Sequence, residues 1–142
     1  MKNDQGFSLL ELLIVVAIIM IIAMVAVPSL LRSRQAANEV SAVAHLRNIT
    51  TAQISYSYRT DGVYADFVDL YNQGLLDNRW NSATPTISGY QFDMTLGSGT
   101  FTILASPNGA SGRCSYASSE AGVVTYSTAI TGCSGTAGNP VQ

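Results

Sequence analysis

Sixteen consecutive positions, Leu12 to Val27, carry no polar side chain: LLIVVAIIMIIAMVAV. Extension to Leu31 adds only Pro28 and Ser29, and no charge stands between Glu11 and Arg32. A bilayer core of about 30 Å is crossed by roughly 20 mainly apolar helical residues, and residues 9–31 supply them. A helix of a soluble core carries a polar stripe, and this run has none. A cleaved secretory signal has a positive start, a shorter apolar stretch and a small-x-small cleavage site. Here Lys2 alone opens the chain, Ala23 and Ala26 stand three apart, and Glu11 lies inside the beginning of the run. The pattern predicts a membrane-spanning helix.

Beyond Arg32 the pattern becomes periodic. Ala36, Val40, Val43, Leu46, Ile49, Ile54 and Tyr58 recur at three to five residues and predict a helix with one broad apolar face. Ala37, Ser41, Ala44, Asn48 and Ser55 form a small, polar opposite face, and Arg47 interrupts the apolar one. A helix from Phe7 to Tyr58 would be about 78 Å long at 1.5 Å per residue. Asp61-Gly62 ends it. A short helix is expected over Asp66 to Gln73, with Phe67, Leu70 and Tyr71 inward and Gly74 as its stop. Asn81 to Ser88 is turn-rich around Pro85.

Strand alternation follows. Tyr90, Phe92 and Met94 alternate with Gln91, Asp93 and Thr95; after the turn Gly97-Ser98-Gly99, Phe101, Ile103 and Ala105 alternate again. Ser106 to Gly112 reads as loop. Cys114 to Ser118 and Val123 to Ser127 make a second hairpin around Glu120-Ala121-Gly122. The fold class is α+β: a long N-terminal helix, transmembrane and then amphipathic, packed on a small four-stranded antiparallel sheet. The segments are a leader 1–6, a membrane half 7–31, an amphipathic half 32–58 and a head 59–142. The Gly- and Ser-rich tail from Gly132 is expected to be mobile.

Composition narrows the function. Of 142 residues 47% are hydrophobic and only 11% charged, with a mean hydropathy of +0.23 and a net charge of -2. A nucleic-acid footprint of clustered Lys and Arg is absent. One histidine and two cysteines exclude a zinc finger or an iron-sulfur centre, so no metal or cofactor is expected. Asp61, Asp66, Asp69 and Asp77 share a loop without EF-hand spacing and read as solvated charges. His45 reads as a surface or interface residue of the long helix. Gly97-Ser98-Gly99 is a hairpin turn, since no Gly-Lys-Ser/Thr follows. The sequon Asn48-Ile49-Thr50 falls in a helix and reads as incidental. Tyr56, Tyr58, Tyr64, Tyr71 and Trp80 read as packing aromatics, because no basic residues are interleaved with them. No catalytic residues are assigned.

Glu11 is the anomaly. A carboxylate in a membrane segment is costly and usually marks function. Hydration at the membrane face would satisfy it. A cation within reach would satisfy it more specifically, and a new N-terminal amine at Phe7 would be one.

Gly6-Phe7-Ser8-Leu9-Leu10-Glu11, after the short polar leader Met1 to Gln5, resembles the prepilin leader of type IV pilins and pseudopilins, most closely the type IVa pilins. The resemblance is strong over residues 1–60 and looser beyond. It implies that a prepilin peptidase cuts between Gly6 and Phe7 and that Phe7 becomes N-methylated. It also implies that Glu11 pairs with the N-terminal amine of a neighbouring subunit. Pro28 matches a proline of many type IVa pilins and would allow a bend, since it removes a donor from Met24's carbonyl. Many pilins also carry a glycine in this stretch, and residues 12–31 have none. Positive-inside counting is ambiguous, with Lys2 before the helix and Arg32 and Arg34 after it. The leader motif instead implies a cytoplasmic N-terminus and an outer head.

In an exported head Cys114 and Cys133 are expected to be oxidised, as in the C-terminal loop that type IVa pilins often close. No C-x-x-C supports a redox role. The implied function is the structural subunit of a type IV pilus, with no enzymatic activity. The chain would be a single-pass inner-membrane precursor in the lipid bilayer, then a homo-oligomeric helical filament outside the cell. Its partners would be the peptidase and an inner-membrane assembly platform. The alternatives are a pseudopilin of a type II secretion system, a minor pilin, or a membrane-anchored surface binding module. Major pseudopilins usually lack the C-terminal disulfide and carry a late acidic Ca²⁺ site. After residue 78 this chain has only Asp93 and Glu120 as acids.

Overall fold

A computed structural model of the chain describes residues 7–129, 133, 135 and 137–141. They fall into two compact units divided between Arg34 and Gln35. Gly6 and Lys2 lie outside the described residues.

In the first unit the helix α1 (Leu9–Ser57) begins, with Pro28 inside it. The Ser8 carbonyl accepts from the backbone N–H groups of Glu11 and Leu12 at 3.1 and 3.2 Å, so the first turn is closed one residue outside the helix. Every side chain from Phe7 to Arg34 is exposed within this unit.

In the second unit the rest of α1 buries Glu39, Ala42, Val43, Leu46, Ile49, Thr50, Ala52 and Gln53. This corrects the expected face. Val40 is 71% exposed and Tyr58 86%, and Ile54 and Ala36 also face out. The helix is turned because two polar side chains find partners inside. Gln53 both donates to the Ala65 carbonyl and accepts from the Ala65 N–H, fixing the chain just after the helix. Glu39 receives Arg113. A buried polar group with its bonds made is cheap to bury, so these positions compete successfully with Val40 and Ile54.

The short helix α2 (Phe67–Asn72) stands inside the expected span. The Asp66 carboxylate caps it by accepting from the Asp69 N–H at 2.8 Å, and Gln73 ends it. A 3-10 turn, Asn78–Trp80, follows, capped by Asp77.

Among the described residues the sheet has five strands, not four. Its order is β1 (Thr86–Ile87), β2 (Tyr90–Gly97), β3 (Thr100–Pro107), β4 (Cys114–Ser119) and β5 (Thr125–Ala129), each antiparallel to the next. The added strand is β1, two residues long and hidden beside Pro85. Ser88 and Gly89 both take positive φ, 51° and 75°, as a two-residue loop of the primed kind requires, and this pairs Ile87 with Tyr90. The β2–β3 hairpin runs in register from Tyr90↔Pro107 to Gly97↔Thr100, so β3 extends into the expected loop. Tyr90, Phe92, Phe101, Ile103 and Ala105 alternate inward from this hairpin and close over Leu46, Ile49, Phe67, Leu70 and Trp80.

The tail departs from its expected mobility where it is described. Gly138 donates to the Tyr126 carbonyl at 2.7 Å, Tyr126 donates to Asn139 at 3.0 Å, and Val141 donates to Val124 at 2.9 Å. The free edge of β5 thereby gains a partner, which an exposed strand edge needs. Cys114 and Cys133 are bonded, with Cα atoms 5.2 Å apart.

Gly112 sets a further constraint, because a Cβ there would overlap the ring and hydroxyl of Tyr90. That ring is fully buried, and its hydroxyl donates to the Cys114 carbonyl at 2.8 Å. Gly112→Ala should therefore destabilise the head by about 1–3 kcal/mol. Urea denaturation reads this as a lower midpoint, and an unchanged midpoint would mean that the Tyr90 pocket is loose.

Candidate assembly site

The chemistry of the first unit is concentrated at its start. Phe7 is 83% exposed, and among the large apolar side chains from Leu9 to Leu31 even the most covered, Val16, is 42% exposed. A helix apolar on all sides needs lipid or other apolar helices around it. Glu11 stands in the first turn of α1 with its side chain exposed, and it is bonded to no other side chain among the described residues. A helix N-terminus favours an anion and disfavours a cation. An amine at Phe7 would thus meet an unfavourable end of its own helix, while a carboxylate from another copy would be welcome there. A carboxylate left without a partner in hydrocarbon is costly. Such a helix can sit in a bilayer or among other apolar helices. Pro28 lies within α1, two turns beyond the middle of the apolar run. Its effect on the helix is a matter of the missing donor to Met24.

The second unit carries the polar groups that the pattern of the chain concealed. Glu39 Oε1 accepts from the Arg113 backbone N–H at 2.8 Å and from its Nε at 3.2 Å, and Oε2 accepts from Nη2 at 3.2 Å. The pair ties α1 to the residue before Cys114. The sole signal was a carboxylate three residues ahead of Ala42 in the inward series. Beside it lies a groove of about 330 Å³, lined by Val40, Val43, Ala44, Arg47, Tyr116 and Val141 among others. Burial, and then the Glu39 charge, push the Tyr116 hydroxyl up to about 12, so it stays a neutral donor.

The loop acids divide by role. Asp66 and Asp77 are helix caps, and Asp77 also holds Arg79 at 2.7 Å. That hydrogen bond keeps the Asp77 carboxyl below its usual range. Among the described residues no group of three His, Cys, Asp or Glu is placed to hold a metal ion. His45 is not a free surface residue: it is half-buried against Trp80 and Phe92.

Comparison with known proteins bears on the first unit most directly. A family model, the prokaryotic N-terminal methylation motif, matches residues 1–27. The chain is 39% identical over 75 residues to the type IV wide pilus major component PilA4 of Thermus thermophilus, covering 53% of this chain and 57% of that protein. It is 38% identical over 67 residues to the type IV major pilin protein PilA of Myxococcus xanthus, covering 47% of this chain and 30% of that protein. The match therefore spans less than two thirds of the length of either relative. The chain thus carries the prokaryotic N-terminal methylation motif at its head and is similar, over about half of its length, to two type IV pilus proteins.

Proposed function

We propose that the chain is a structural subunit of a type IV pilus and performs no catalysis. It is made as a single-pass precursor in the inner membrane, N-terminus in the cytoplasm and head outside. A prepilin peptidase cuts after Gly6 and methylates Phe7, and an assembly platform in the same membrane passes the subunit into the fibre. There α1 exchanges lipid for neighbouring copies of itself. Glu11 pairs with the Phe7 amine of the next copy and sets the register, because a slip leaves both charges unpaired. Pro28 allows the helix to bend or open locally.

One observation carries this reading: a single carboxylate, four residues from the motif's cleavage point, begins an apolar helix whose side chains are all exposed within their own unit. The homologous names and the Cys114–Cys133 bond support a pilus subunit over a secretion pseudopilin. Filaments sheared from cells provide the test. The chain should be their main component, whereas a chain confined to the membrane fraction would overturn the assignment.

A further inference from the structure

His45 is the only histidine of the chain and Trp80 its only tryptophan. The two rings meet edge to face, centroids 5.6 Å apart and planes at 71°. Phe92 meets the imidazole at 6.0 Å and 89°. Trp80 is fully buried and also packs on Phe92 at 5.0 Å and Phe67 at 5.4 Å. The half-buried imidazole of α1 thus packs on an aromatic cluster to which the 3-10 turn contributes Trp80 and β2 contributes Phe92.

Charge enters this pocket from one element. On the turn, Asp77 grips Arg79 with three hydrogen bonds, Nε to both carboxylate oxygens at 3.1 Å and Nη2 to Oδ2 at 2.7 Å. Arg79 and Asp77 both act on His45 electrostatically. On β2 the one charged residue, Asp93, follows Phe92 and so points to the opposite face of the strand. On α1 the nearest charge, Arg47, is exposed and only two residues along, which places it on another side of the helix.

We propose that His45 is a proton-sensitive latch: neutral, it fastens the Asn78–Trp80 turn to α1 through Trp80 and Phe92; protonated, it brings a charge into an aromatic site beside Arg79 and lets the turn go. The latch rests on the packing of the second unit and is independent of the filament reading. Burial, then the Arg79 charge, lower the imidazole's pKa from its usual 6.5, with Asp77 opposing them. The sign follows from linkage. The unfolded chain takes up its proton near 6.5 while the folded chain resists it, so stability is whole above that pH. It falls as the pH drops from there through the folded midpoint. Each unit of depression lowers the folded-to-unfolded ratio about tenfold once the pH is below both midpoints.

The single histidine and single tryptophan make the test unambiguous. In the full chain in detergent micelles, the imidazole ring proton should titrate by NMR with a midpoint below the ordinary 6.5. Arg79→Gln, by removing a like charge, should move that midpoint up, and Asp77→Asn should move it down. Trp80 fluorescence should step at the same pH in the wild type and show no step in His45→Gln. Should His45→Gln fail to fold, His45→Phe keeps an edge-on ring that cannot protonate, and it must fold without the acid step. A wild-type midpoint at or above 6.5, a midpoint indifferent to Arg79→Gln, or an acid step that survives in both His45 variants would overturn the latch.

Discussion

Glu11→Ala should insert into the membrane as the wild type does and form no filaments. Insertion depends on the apolar run from Leu12 to Val27, which the substitution lengthens rather than interrupts. On the proposed pairing, assembly depends on each subunit start. There a protonated amine at Phe7 would lie among apolar helices with its carboxylate partner removed. Breaking a buried ion pair by deleting one member costs about 3–5 kcal/mol. At 1.4 kcal/mol per tenfold, about 3 kcal/mol weakens each subunit addition by more than about a hundredfold. Membrane fractionation and negative-stain microscopy of the same cells read the two halves of the prediction. Normal fibres from Glu11→Ala would sink the register argument, and loss of the chain from the membrane would show that Glu11 acts earlier.

The second large effect concerns the head. Replacing Cys114 and Cys133 by Ser should lower the stability of the head by about 3 kcal/mol, the loop-entropy value for a closure of nineteen residues. The consequence reaches beyond one bond. Cys114 opens β4, its carbonyl receives the Tyr90 hydroxyl, and Gly138 to Val141 complete the edge of β5. Opening the ring frees the segment that covers that edge. Urea midpoints with and without reductant give the measurement. The wild type should fall on reduction to the level of the double-Ser variant, and the variant should not respond. A reduced head as stable as the oxidised one would assign its stability to packing alone.

Local signals were the readable ones. The apolar run, the spacing of Phe67, Leu70 and Tyr71 ahead of Gly74, the alternation from Tyr90 to Met94 and the Gly97-Ser98-Gly99 turn each lie within a few residues, and each produced its element. Misreadings came where the deciding partner is distant. Glu39 is inward because Arg113 waits 74 residues away, and Gln53 because Ala65 turns back on it. Periodicity placed Val40 and Tyr58 inward because it scores apolarity and cannot see a satisfied polar group. β1 is too short to show alternation, and its pairing follows from Ser88 and Gly89 adopting positive φ. His45 gave no cue, since Trp80 and Phe92 come from two other elements. Of the candidate assembly site, only the local motif can be read from the chain. Phe7 and Glu11 announce themselves in one motif, while Gly6 lies outside the described residues and Glu11's proposed partner belongs to another copy.

All of this turns on where the mature chain begins. Mass spectrometry of the N-terminal peptide of the purified chain is the most direct measurement. The mature chain is expected to start at Phe7 and to carry one added methyl group there. An intact Met1, or a start just after Ala26, would contradict it.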